Sequence, residues 1–132
     1  MAPSLFRYNK IMIVIEILKS EDHDSLGEFS FKLPSIEIGQ SINTILRVFD
    51  RSLKNPVQIK TIENNKALLI FQSPNGFVQN SKKFYNSKIV RDGDIIDCEH
   101  FSLKIKQILL ANNYPNDIKE HRSKILESIK KK

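Results

Sequence analysis

The sequence predicts an all-β fold, a sandwich of short antiparallel strands, on three observations. Short β-branched and aromatic runs follow one another with a turn signal roughly every ten residues, the spacing of sandwiches and barrels. Several of these runs alternate apolar and polar residues, and that period of two marks a strand with one buried face. Two glycine-centred signals, Pro74-Asn75-Gly76 and Asp92-Gly93-Asp94, each separate two apolar runs. Asn-Gly and Asp-Gly suit a type I′ hairpin turn, whose two central residues need positive φ.

Taken in order, residues 1–10 read as a leader. Ile11 to Leu18 is β-branched and bounded by polar residues, so it reads as a strand buried on both faces. Residues 20–25, SEDHDS, form a charged loop, and His23 within it has no second ligand at zinc spacing. Gly27 opens a strand in which Phe29, Phe31 and Leu33 alternate with Glu28, Ser30 and Lys32 until Pro34 interrupts the ladder. Ile36-Glu37-Ile38 resumes it and ends at Gly39-Gln40-Ser41. In residues 42–50 the spacing of Ile45, Val48 and Phe49 leaves strand and short helix open. Residues 51–56 form a loop. Val57, Ile59 and Ile62 make the next strand, Asn64-Asn65 a turn, and Ala67 to Phe71 a further strand.

After the second glycine turn, Ile95, Ile96 and Cys98 lead into Phe101, Leu103 and Ile105, which alternate with Ser102 and Lys104. Beyond Ile105 the period changes, and Asn112-Asn113-Tyr114-Pro115 is a break. Asn116 or Asp117 then suits a helix cap. Ile118, Ile125, Leu126 and Ile129 fall on one helical face, with Lys119, Arg122, Lys124 and the terminal lysines around them. The expected organisation is a leader over 1–10, a sandwich over 11–110, and a linker with a basic amphipathic helix over 111–132. Such a helix packs on the sandwich or links onward. A nucleic-acid or membrane-surface role is the sharper alternative, and the short apolar face without an aromatic residue argues against the membrane.

The chain of 132 residues is one domain, long enough to bury a core. Its net charge of +6 suits partners that carry phosphate or carboxylate, without choosing among nucleic acid, a phosphopeptide and an acidic protein surface. The single cysteine, Cys98, excludes an internal disulfide and reads as a small buried hydrophobe. The longest apolar run is interrupted by Glu16 and is far short of a membrane span. No cleavage pattern follows it and no Asn-x-Ser/Thr acceptor occurs, so the expected location is intracellular, with the basic tail suggesting the nucleus.

No catalytic constellation is legible. His23, His100 and His121 are scattered, and none shares a site with Cys98 or a serine. Asp92-Gly93-Asp94 lacks the ligand ladder of a calcium loop, and no phosphate-cradling glycine motif occurs. The expectation is a binding module, not an enzyme, with no cofactor and no metal. Phe77, Phe84 and Tyr85 interleave with Lys82 and Lys83, which opens an accessory role in nucleic-acid binding through base stacking. The plainer reading is a core pair beside a solvated loop, and burial of the aromatics decides between them.

The order of these features over about residues 11–105 resembles the forkhead-associated (FHA) domain, a family of eleven-stranded sandwiches whose loops at one end read phosphothreonine peptides. Three segments carry the resemblance. Ile36-Glu37-Ile38-Gly39 is similar to the family's hydrophobic-Ile-Gly-Arg start, and Ser73 to Asn80 to its Ser-x-Asn-Gly-Thr-x-Val-Asn motif. Val90 to Ile96 is similar to its Leu-x-x-Gly-Asp-x-Ile motif. The resemblance implies that Asn75 hydrogen-bonds a peptide backbone, that Asn80 ends the motif, and that Gly39, Gly76 and Gly93 serve structural turns. It extends the candidate partner surface over Gln40, Ser41, Arg51, Lys54, Asn55, Asn75 and Asn80.

Three departures change the expected chemistry. Gln40 stands where the family places its phosphate-binding arginine, the residues near 52–58 lack the family's Ser-Arg-x-His box, and Phe77 replaces a threonine. A neutral amide cannot supply the bidentate charge-assisted pair, at about 1.5–3 kcal/mol per charged hydrogen bond. The first expectation is therefore a phosphate-independent adaptor or scaffold contact with another protein in a larger complex. The alternative is phosphothreonine recognition through a relocated basic pocket that uses Arg47, Arg51 and Lys54. The sequence sets neither the partner's identity nor the oligomeric state.

Overall fold

The structure is a computed structural model and describes residues 10–111. In chain order the strands are β1 (Lys10–Lys19), β2 (Gly27–Phe31), β3 (Ser35–Gly39), β4 (Leu46–Arg47), β5 (Val57–Glu63), β6 (Lys66–Phe71), β7 (Phe77–Gln79), β8 (Lys82–Phe84), β9 (Ser87–Arg91), β10 (Ile95–Cys98) and β11 (Phe101–Ala111). They form a six-stranded sheet, ordered β2-β1-β11-β10-β7-β8, and a five-stranded sheet, ordered β4-β3-β5-β6-β9. The all-β sandwich is as expected, with one addition: β4 runs parallel to β3, pairing Leu46 with Ile38.

The alternation read from the sequence sets the core. Ile13, Ile15 and Ile17 of β1 and Phe101, Leu103 and Ile105 of β11 point inward, against Ile36, Ile38, Ile59 and Leu69 of the other sheet. Phe71 of one sheet stacks on Phe77 of the other, with ring centroids 6.0 Å apart. β1 is buried on both faces only at its middle. Val14 on the outer face is covered, but Leu18 is exposed, at an irregularity of the β1–β11 pairing where it is the extra residue between Ile17 and Lys19.

Where the sequence reading and the structure differ, bulges and sheet switching are the cause. The period change after Ile105 is a β-bulge and not the end of a strand. Val14 pairs with Gln107 and Ile15 with Ile105, so Lys106 is the extra residue and β11 runs on to Ala111. A second irregularity, between Thr61 and Glu63, turns Ile62 out to solvent instead of into the core. Residues 42–50 are mostly turn, with only β4 as regular structure, and Arg51–Leu53 forms a single 3-10 turn within the predicted loop. The predicted C-terminal helix, its linker beyond Ala111 and the leader up to Asn9 lie outside the described residues.

Neither glycine signal makes a hairpin. The first joins β6 to β7 and the second joins β9 to β10, so each carries the chain from one sheet to the other. In the first, the Gly76 amide donates to the Ser73 carbonyl and only Gly76 has positive φ. In the second, the Asp94 amide donates to the Arg91 carbonyl and Gly93 alone has positive φ, a type II arrangement. The two-residue hairpin with positive φ at both central positions is Asn80-Ser81, between β7 and β8.

Candidate functional site

Five connections meet at one end of the sandwich: 20–26, 40–45, 48–56, 72–76 and 99–100. Asp50 ties three of the segments there. Its side chain is 1% exposed and accepts from the Ser52 amide (2.8 Å), the Glu21 amide (2.7 Å) and the Ser20 hydroxyl (3.3 Å). A buried carboxylate with three donors is satisfied and rigid. Beside it lies a cleft of about 280 Å³ lined by residues that include Arg51, Lys54, Asn55, Asn75, Glu99 and His100.

The cleft brings together four of the seven candidate surface residues: Arg51, Lys54, Asn55 and Asn75. Arg51 is engaged by Glu21. Its Nε donates to Glu21 Oε2 at 2.8 Å and its backbone amide to Oε1 at 2.9 Å, and one of its two terminal guanidinium nitrogens, Nη2, also approaches Oε2. Arg51 holds the Glu21 carboxyl well below the ordinary range, at about 2. His100 Nδ1 lies 4.0 Å from the same oxygen. Asn75 donates from Nδ2 to Glu99 Oε2 at 3.1 Å, and Asn55 from Nδ2 to the Gln72 carbonyl at 2.7 Å. Lys54 is exposed and pairs with no carboxylate among the described residues.

Gln40 and Ser41 do not line this cleft. Gln40 donates from its side-chain amide to the Asp50 carbonyl, and its own carbonyl accepts from Arg47 Nε at 3.0 Å. It braces the 40–50 connection. Arg47, the other cation considered for a relocated pocket, sits over the Phe49 ring at 4.6 Å. Ser41 caps its own turn, accepting from the Asn43 amide at 3.1 Å. Asn80 is apart from the cleft altogether, on the β7–β8 hairpin beside Gly93 and Ile95. Gly39 serves packing and not a positive-φ turn: a Cβ there would lie 3.1 Å from Pro56 Cβ.

Asp94 braces its own turn. Asp94 Oδ2 accepts from Gln79 Nε2 at 2.7 Å and from the Arg91 amide at 2.9 Å. Cys98 is buried, with Sγ 3.8 Å from the Ser73 hydroxyl, and burial pushes its thiol up. The basic aromatic segment loses most of its stacking surface. Phe77 is buried and Phe84 packs on it at 6.1 Å with Lys88 over its ring, which leaves Tyr85 as the exposed member.

Sequence reasoning missed Asp50, Glu21, Glu99 and His100 as members of the site. Asp50 had a local signal, since Asp-x-Ser is an Asx-turn pattern ahead of a helical turn. Glu21 had none, because its partner is 30 residues away.

No protein-family profile and no curated protein sequence matches the chain. Solved structures do match. An FHA domain from Chlamydia trachomatis superposes with a TM-score of 0.57 at 13% identity, covering 71% of this chain and 94% of that one. An FHA domain from Arabidopsis thaliana gives 0.59 at 16% identity, covering 78% and 89%. A domain solved in a study of phosphothreonine-dependent FHA interactions gives 0.55 at 20% identity, covering 72% and 95%. With its two sheets, its sheet-switching glycine turns and its clustered loops, the chain has the FHA fold.

Proposed function

We propose that this chain is a protein-interaction module of FHA type that holds a polar, extended segment of a partner protein at the loop-end cleft and does not depend on phosphate. One observation carries the reading: the only arginine lining the cleft among the described residues is already paired, through its guanidinium and its backbone amide, with Glu21. The family's arginine position supports it, because Gln40 is neutral and braces a loop from outside the cleft. What remains at the cleft is Lys54, His100, the amides of Asn55 and Asn75, and the Glu99 carboxylate, with Glu21 on Arg51 beside it. That is a near-balanced polar surface suited to uncharged or mixed-charge peptide. The nucleic-acid reading has less support, since Phe77 is buried and Phe84 covered.

The test is capture from a lysate of the source cells on the immobilised full chain, after phosphatase, after nuclease, and untreated. We expect the retained proteins to survive both treatments and to be lost from the Asn75→Ala and Lys54→Glu variants. Loss after phosphatase would assign the cleft to phosphopeptides, and loss after nuclease alone would assign the chain to nucleic acid. Unchanged retention by both folded variants would move the contact surface elsewhere.

A further inference from the structure

We infer that Glu21 is the residue that bars phosphate from the cleft: its carboxylate occupies the anion position on Arg51 that a phosphoryl group would need. The inference rests on the cleft being the partner surface.

The geometry is that of a held anion. A guanidinium presents its donors as a fork that matches carboxylate or phosphate, and here Glu21 Oε2 takes the Nε/Nη2 edge of that fork while Oε1 takes the Arg51 backbone amide. Exposed ion pairs are in general weak, and Arg51 is largely exposed. This one differs because Glu21 is anchored from behind: its own amide donates to the buried Asp50 carboxylate at 2.7 Å. The carboxylate therefore stays at high local concentration beside Arg51, as a tethered competitor does. An incoming phosphoryl group has to displace it and then remain next to the displaced charge. Glu99 in the cleft lining, held by Asn75, adds a second like charge. The chain is basic overall, yet of the two lysines and arginines that line the cleft among the described residues, Arg51 is paired with Glu21, and the lining itself includes the Glu99 carboxylate. Specificity against a ligand is commonly built from such repulsive elements.

The experiment is a gain of function. The ¹⁵N-labelled full chain is titrated with inorganic phosphate and with free phosphothreonine at constant ionic strength, following the amides of Arg51, Ser52 and His100. The wild type should show no saturable shift. Glu21→Gln, with one charge removed and the shape kept, should bind both ligands saturably and at least roughly tenfold more tightly, the scale of one freed charge-assisted contact. Glu21→Gln combined with Arg51→Gln should lose that response. As a check independent of folding in the variants, the Arg51 Nε proton of the wild type should keep its shift as phosphate rises. A phosphate-dependent shift there overturns the inference. Saturable binding by the wild type would sink the phosphate-independent reading as well. A silent wild type beside a silent but folded Glu21→Gln would sink only the role given to Glu21.

Discussion

Asp50, Glu21 and Arg51 form a chain of dependence in which each group fixes the next. The buried Asp50 carboxylate orients the Glu21 backbone, Glu21 orients the Arg51 guanidinium, and Arg51 in turn lowers the Glu21 carboxyl to about 2 from an ordinary 4.5. Among the described residues, His100, Asp50 and Glu99 are the other titratable groups close to this pair. A carboxyl whose folded-state value is depressed contributes stability that is fully present above its unfolded value. That contribution fades as pH falls from about 4.5 towards 2. Melting temperature followed over that range should therefore fall less steeply for Glu21→Gln than for the wild type. Parallel curves would mean that the pair adds nothing to folding. At this scale the sequence disclosed residue types and little else. Asn75, Lys54 and Asn55 could be proposed only from the family resemblance of the segments around them. The capture of Arg51 could not, because it depends on a carboxylate 30 residues away in the chain.

Among the elements, the two glycine turns show why local signals locate a bend better than they identify it. Pro74-Asn75-Gly76 and Asp92-Gly93-Asp94 do turn the chain, but each passes it between sheets, and the type I′ hairpin falls at Asn80-Ser81. The turn type depends on where the flanking strands find partners, which a four-residue window does not contain. The two glycines also differ in a measurable way. Both have positive φ, but a Cβ at Gly93 would meet nothing within 4 Å, whereas at Gly76 it would lie 2.8 Å from the Phe84 carbonyl oxygen. Gly93→Ala should cost about 1 kcal/mol from backbone strain alone. Gly76→Ala should cost more, roughly 2–3 kcal/mol, because strain and a backbone clash add. Chemical denaturation of the two variants measures the order directly, and equal losses would contradict the close approach at Gly76.

For the molecule as a whole, β1 and β11 are the spine of the six-stranded sheet and supply six of the fully buried side chains. Amides at the centres of β1 and β11 should therefore exchange most slowly with solvent, and those of residues 41–49, which are mostly turn, should exchange fast. Hydrogen exchange read by NMR tests this, and protection in 41–49 equal to that of Ile15 or Leu103 would refute it. Alternation by itself indicated the all-β class and the inward faces of β3 and β11, because side-chain direction along a strand follows from a two-residue period. Residue type read Cys98 as buried, and the structure decided the same for Phe77. The tertiary structure decided how far β11 runs past the Lys106 bulge, that β4 pairs in parallel, and that Gln40 and Asn80 stand outside the cleft that gathers Arg51, Lys54, Asn55 and Asn75. It alone decided that Glu21 occupies Arg51. Those outcomes depend on which distant segments share an edge or a loop cluster, and such contacts leave no periodic trace in the chain that makes them.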